Sequence, residues 1–196
     1  LSVMSSTSNA PSNASVHALR AGPEDASLVR RVRQGDEGAA DTLYRRHVGL
    51  AMQTALRLLR NRAEAEDAVQ EAYLLAFRRL KQLDEPGAFR GWLVRIVVSL
   101  VHRRLRRHRG EPLDGLAAEA RHDASPAVRA ELRLLDEALD ALEPEERIAW
   151  TLRYVLGHRL REVAAVSGCS LSTAKRRLEA AHLVVSRHVR IEPTEP

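Results

Sequence analysis

The sequence predicts an all-α protein built from two small helical domains joined by a flexible linker. Three observations carry that prediction. After residue 23, apolar residues recur at helical spacing, and no segment alternates as a half-buried strand would. Ala, Leu and Arg, all good helix formers, dominate the chain. The helical pattern lapses over residues 109–124, "RGEPLDGLAAEARHDA", where one Pro and two Gly interrupt it. The expected division is a disordered tail over 1–23, a first domain over 24–108, a linker over 109–124, a second domain over 125–190 and a C-terminal tail over 191–196.

The elements follow in order. The opening "LSVMSSTSNAPSNAS" has neither the charged start nor the apolar heart of a signal peptide, and Met4 is a candidate start. Residues 24–60 read as one long helix, or as two interrupted near Gly35. The next helix, 62–81, begins with Asn61 and Glu64 spaced as a capping box, followed by Glu66 and Asp67 in its acidic first turns. Val69, Tyr73, Ala76, Phe77 and Leu80 form its core face. Asp67, Gln70, Glu71 and Leu74 form a neighbouring face that is acidic within a basic protein. Such a face repels DNA and suits a protein partner; a plain solvated face is the alternative.

"DEPG" at 84–87 marks a loop, and a third helical block follows over 89–109, "FRGWLVRIVVSLVHRRLRRHR". Leu93, Val97 and Leu100 share one stripe, and Val94, Val98 and Val101 add another apolar line, so the first half should be buried. Arg95, Ser99, His102 and Arg106 share a polar stripe. Seven arginines fall between Glu85 and Glu111 without one acidic residue. About five phosphate contacts would give DNA binding a salt slope of about −4 to −5. Trp92 and Phe89 could each stack on an unpaired base. Trp92, at the start of the apolar stripe, reads mainly as core, and Phe89, beside the loop, as the more open ring.

Ser125 and Pro126 supply an N-cap and a first helical position for the next helix. Pro144 starts another, which Gly157 ends. Over 160–190 two helices meet at Ser167 to Ser170. Small Ala164 permits a close crossing, and Gly168 can take a left-handed turn. Ser170 can cap the second helix, whose Ser172, Thr173, Lys175, Arg176 and Arg177 suit a recognition helix in the major groove, while Leu178 points back to the core. From 159 to 190, seven Lys and Arg face two acidic residues, Glu162 and Glu179.

Composition narrows the function. A net charge of +5 favours a polyanionic partner, nucleic acid before an anionic membrane. The single Cys169 excludes an internal disulfide framework and a cysteine-only metal site, in keeping with a reducing cytoplasm. The longest apolar run, near 92–101, is short and broken by Arg95. No phosphate loop, nucleophile elbow or HExxH occurs, so no catalytic residue, metal site, cofactor or small-molecule substrate is expected. His102 and His108 sit among arginines, which repel a metal cation.

Taken together, "AEDAVQEAYLLAF" (65–77), "FRGWLVRIVVS" (89–99) and "LEPEERIAWTLRYVLGHRLREVAAVSGCSLSTAKRRLEAA" (142–181) resemble the extracytoplasmic-function group of bacterial RNA polymerase sigma factors, in the sigma-70 family. "LVRRVRQGDEGAADTLYRRH" is similar to that family's first helix. The resemblance spans about 24–190 and implies regions 2 and 4 of a sigma factor. It implies that Asp67, Gln70, Glu71 and Leu74 bind core RNA polymerase, at the β′ clamp helices and the β subunit. It implies that the loop near 81–89 captures a base of the minus-ten promoter element, and that Phe89, Arg90, Trp92, Arg95, Ser99, His102, Arg103, Arg106 and Arg107 contact that element. Ser170, Ser172, Thr173, Lys175, Arg176 and Arg177 would read the minus-thirty-five element. The linker would thread through the polymerase. An anti-sigma factor is the further partner implied, able to hold the chain at the inner membrane. Ser99 stands where the family usually has Asn, Arg103 where it often has Asp, Ser167 in place of an apolar residue, and Ala174 in place of Val. Ser172 and Arg176 replace the usual Gly and Ser.

Sixteen extended linker residues reach about 53 Å, beyond one DNA turn of about 34 Å. Docking on the polymerase is therefore expected to set the mutual orientation of the two domains. The rival reading is a helix-turn-helix regulator that acts without polymerase; a basic helical protein of membrane surfaces or RNA is a more distant one.

Overall fold

The computed structural model describes residues 23–107 and 126–188. The expectations for the N-terminal tail before Pro23, the linker and the C-terminal tail lie outside the described residues. Among the described residues every regular element is helical, and no helix is long and apolar enough to cross a membrane.

The N-terminal domain has four α-helices. The first, α1 (Pro23–Arg33), and α2 (Glu37–Leu59) are two helices rather than one. Gly35 adopts φ 93°, which ends α1, and the Asp36 side chain accepts a hydrogen bond from the Ala39 N–H to start α2. Asn61 Oδ1 accepts from the Glu64 N–H at 3.0 Å and opens α3 (Arg62–Arg78) as the spacing predicts. Two short 3-10 turns, Leu80–Gln82 and Pro86–Ala88, lead into α4 (Phe89–Arg107). Arg33 pins this connection by donating to the Leu80 and Leu83 carbonyls. The four helices enclose Val29, Leu43, Leu58, Leu59, Phe89, Leu93, Val94, Val97 and Val101, all essentially buried. Each contributes roughly 1.5–3 kcal/mol of apolar transfer. That is why the apolar half of α4 is anchored while its arginine end projects.

The C-terminal domain comprises α5 (Pro126–Asp140), α6 (Pro144–Trp150), α7 (Leu160–Val166) and α8 (Leu171–His188). Pro144 opens α6 as expected. The helix then widens into a π turn over Thr151–Val155, with the Leu156 N–H donating to Thr151 O at 3.0 Å. Ala138, Leu139, Leu142, Trp150, Ala181 and Val185 close a second, smaller core.

The two domains pack directly against each other, which the sequence did not lead us to expect. Ile148, Leu152, Val163 and Val166 join the same continuous apolar cluster as the α4 valines. Polar contacts frame this seam. Arg147, 5% exposed, donates to Leu58 O and to Asp140 Oδ1, each at 2.9 Å. Arg60 pairs with Asp136 at 2.8 Å and with Asp140. In this state the chain itself, not a docking partner, orients the domains.

Candidate nucleic-acid and partner interfaces

Three candidate surfaces are built on α3, α4 and the α7–α8 pair. On α3, helical spacing brings Asp67, Gln70 and Leu74 to one face. All three are exposed, Leu74 by 53%. Glu71 differs. Its carboxylate is paired with Arg103 and, at 3.0 Å, with Arg104 on α4. Partial burial works against its charge, yet the two guanidiniums hold its carboxyl below the usual range. The acidic face is therefore smaller than the spacing predicts, because tertiary packing gives one of its carboxylates to α4.

On α4 the expected split between apolar anchor and basic end holds, with one correction. Phe89, expected to be the more open ring, is 0% exposed; its ring lies 5.5 Å from His47 and 6.2 Å from Trp92. Arg33 has drawn the preceding loop inward, so the residue beside it faces the core. Trp92 is only half-buried and lines a shallow cavity of about 230 Å³ with Leu75, Arg79, Arg95, Ile96 and Ser99. Of the two aromatics, Trp92 is the part-exposed one, though it too packs against the core as expected. Arg90 and Arg95 are half-buried, while Ser99, Arg103, Arg106 and Arg107 are exposed. His102 Nε2 lies 2.8 Å from Glu145 Oε1 on α6, and Arg106 lies 3.9 Å from the same oxygen. Partial burial opposes the Glu145 charge, but its bond to His102 keeps the carboxyl below the usual range.

The α7–α8 pair has helix-turn-helix geometry. Gly168 adopts φ 64°. The Cys169 N–H donates to Ala164 O and the Gly168 N–H to Ala165 O, so a Schellman motif closes α7. Ser170 Oγ accepts from the Thr173 N–H at 3.1 Å and caps α8. Ala174 and Leu178 are buried, and Ser170, Ser172, Lys175 and Arg176 are exposed on the opposite side, with Thr173 at the margin. Arg177 departs from the expected reading face. It is half-buried and lines a cavity of about 270 Å³ between α4 and the α7–α8 turn. Cys169 packs half-buried against the core, and burial raises its thiol, with Arg177 opposing that shift.

Sequence reasoning missed Arg60, Arg104, Glu145 and Arg147. Their partners lie 33 or more residues away, except for the local Arg147–Asp140 pair, and no sequence spacing carries such contacts. Only Arg60 leaves a local trace: it ends α2 at φ 54°, a left-handed conformation uncommon for a residue with a side chain. Among the described residues no cluster of three or more His, Cys, Asp or Glu could hold a metal ion.

Comparison with known proteins adds to this geometry. Residues 43–111 match the family model for sigma-70 region 2, and residues 132–181 match that for sigma-70 region 4. The chain is 38% identical over 141 residues to a protein of Xanthomonas campestris named Probable RNA polymerase sigma factor RfaY, covering 67% of this chain and 35% of that protein. It is 33% identical over 157 residues to the ECF RNA polymerase sigma factor SigE of Mycolicibacterium smegmatis, covering 74% and 60%. The chain thus spans about a third and three fifths of the length of these two relatives. Among solved structures, that of CnrH in complex with the cytosolic domain of CnrY is similar, with a TM-score of 0.60, 27% identity, and coverage of 84% of this chain and 96% of that one.

Proposed function

The chain belongs to the extracytoplasmic-function sigma factors of the sigma-70 family, and from that membership we propose that it is a dissociable transcription initiation factor. It binds core RNA polymerase, directs it to two-part promoters and assists promoter melting. The observation that carries this reading is the presence, on one chain, of two exposed basic surfaces and one exposed acidic and apolar face. Arg106 and Arg107 crown one basic surface and Lys175 and Arg176 the other, while Asp67, Gln70 and Leu74 make the third face. A helix-turn-helix regulator acting alone has no use for that third face.

Asp67, Gln70 and Leu74 grip the polymerase, at the β′ clamp helices and the β subunit, with Glu71 at their margin. The α4 stripe of Arg90, Trp92, Arg95, Ser99, His102, Arg103, Arg106 and Arg107 lies along the minus-ten element, its arginines on phosphates and Trp92 against an unpaired base. Ser170, Ser172, Thr173, Lys175 and Arg176 read the minus-thirty-five element, with phosphate contacts fixing register and base contacts giving specificity. Melting comes from trapping unpaired bases, which offsets a few kcal/mol of unstacking, and the factor performs no catalysis of its own. It works in the cytoplasm. An anti-sigma factor is its further partner; the similar CnrH was likewise solved with a bound protein partner, the cytosolic domain of CnrY.

Run-off transcription with core polymerase and genomic promoter fragments tests this reading. Transcripts should depend on the protein and fall when Lys175 and Arg176 are both replaced by Ala. Absence of any factor-dependent transcript would overturn it, and DNA binding without polymerase capture would favour the lone regulator.

A further inference from the structure

Between α4 and the α7–α8 turn lies a cavity of about 270 Å³ whose charged lining is cationic in excess. Arg95 and Ser99 line it from α4, Arg177 from α8 and Ser167 from the turn. Arg95 spans towards the far wall: its Nη2 lies 3.9 Å from the place a Cβ on Gly168 would occupy. The one carboxylate on the lining, Glu145, is engaged by His102 at 2.8 Å, with Arg106 at 3.9 Å. Among the described residues neither Arg95 nor Arg177 has a carboxylate within ion-pairing distance. Both guanidiniums are half-buried, so water screens them less than it screens surface charges. Two like charges that share a part-enclosed space raise each other's energy, and an anion between them offsets both. We propose that this cavity is a binding site for a small phosphate-bearing anion, inorganic phosphate or a small phosphate monoester, held between Arg95 and Arg177.

Size and geometry select that class of ligand. The volume lies below the range of about 300–1,000 Å³ that takes a drug-sized ligand, which suits a phosphate group with a short substituent and excludes a nucleic-acid strand. Guanidinium forks match phosphate oxygens in charge and in spacing. They approach from two domains, so the anion must offer oxygens in diverging directions. A tetrahedral phosphate does so, whereas a planar carboxylate presents two oxygens along one edge.

The rest of the lining fits the same occupant. Val98, Ile148 and Val166 give the cavity apolar walls, which lower the local dielectric and strengthen each charge-assisted bond. Ser167 adds a buried hydroxyl without a hydrogen-bond partner among the described residues, a donor that an anion's oxygen can accept from. The turn's backbone is already spent, since the Gly168 and Cys169 N–H groups donate to Ala165 O and Ala164 O. Recognition therefore rests on side chains, and each can be removed singly. A phosphate held by both arginines also stabilises the fold by mass action, so the melting temperature should rise with its concentration.

The test titrates the full chain by calorimetry with sodium phosphate and with glycerol 3-phosphate. Ionic strength is held fixed in a phosphate-free buffer, and sodium acetate is the control anion. We expect one saturable site for inorganic phosphate, the monoester or both, and the arm that binds tighter identifies the source. R95Q and R177Q should each weaken it about tenfold or more, the worth of one charge-assisted bond. R187Q removes the same charge from an exposed residue of α8 outside the cavity lining and should change affinity less than twofold. Far-UV circular dichroism verifies helix content. R95K or R177K, which keeps the charge but loses the fork, replaces a Gln variant that unfolds, with weaker binding again expected. No saturable binding of either phosphate overturns the site. Equal weakening by R187Q does the same, because it marks diffuse attraction to a basic protein. Acetate binding as tight as phosphate overturns the ligand class. None of these readouts involves polymerase or promoter DNA, so failure of the site leaves the sigma-factor reading intact.

Discussion

Phe89 and Trp92 sit three residues apart on one helix, yet they differ in burial, and replacing each by Ala separates core packing from the proposed base contact. Phe89 is fully buried among α1, α2 and α4, with its ring against His47 and Trp92. Truncation removes a buried aromatic ring and leaves a cavity that rigid helices on three sides cannot fill, a loss of about 3–5 kcal/mol. For a chain of this size each kcal/mol lowers the melting temperature by about 2–4 °C, so F89A should melt about 6–20 °C below wild type. F89L, which retains most of the volume, should recover most of that loss. Trp92 is half-buried and borders an open cavity. W92A should cost less stability than F89A while weakening fork-DNA binding by about five- to hundredfold, the worth of one base stacked on an aromatic ring. Urea melts followed by circular dichroism, paired with anisotropy on the same samples, read both quantities. If F89A melted within about 1 kcal/mol of wild type and lost DNA binding instead, the burial assignment would be wrong and Phe89 would be the base-stacking ring.

Three further outcomes follow from the same geometry. Ser167 Oγ is buried and finds no hydrogen-bond partner among the described residues, so S167A should raise stability by about 1 kcal/mol; a loss in urea melts would show that the hydroxyl is satisfied. Removing the α3 cap with N61A should cost about 1 kcal/mol, measured the same way, and should leave DNA affinity unchanged because it removes no side chain of α4 or α8. Burial lowers the imidazole pKa of both His47 and His158, partly opposed by Asp25 and Glu162 respectively. Above pH 6.5 both rings are neutral in either state. Below it the unfolded chain takes up protons that the fold resists, so stability should fall between pH 6.5 and 5.5 by up to about 1.4 kcal/mol per histidine. A flat urea midpoint over that range, or an H158Q variant with the same slope as wild type, would contradict this.

Much of the architecture was legible in the primary structure because it rests on local chemistry. The Asn61 cap, the break at Gly35, Pro144 at the start of α6 and the turn glycine at 168 are each set by one or two neighbouring residues. Helical periodicity likewise marked the buried valines of α4, and the exposed side of α8 followed from the apolar positions opposite it. The candidate surfaces were legible only in outline. Nothing beside Glu71 on α3 marks it as paired; its partners, Arg103 and Arg104, are more than thirty residues away. Phe89 adjoins a loop and so reads as the more open ring, but the loop's inward path depends on Arg33, more than fifty residues earlier.

By itself, then, the sequence determined the all-α class, the caps at Asn61 and Ser170 and the family to which the chain belongs, since these follow from short-range periodicity, backbone preferences and motif order. The packed tertiary structure alone decided which charges stay free. Arg60, His102, Glu145, Arg147 and Arg177 acquired cross-domain neighbours when the two domains met, Arg147 through Leu58 O. A pair interaction between residues distant in the chain depends on Å-scale separation and on burial, which sets the local dielectric. Neither quantity is written in the order of residues along a helix.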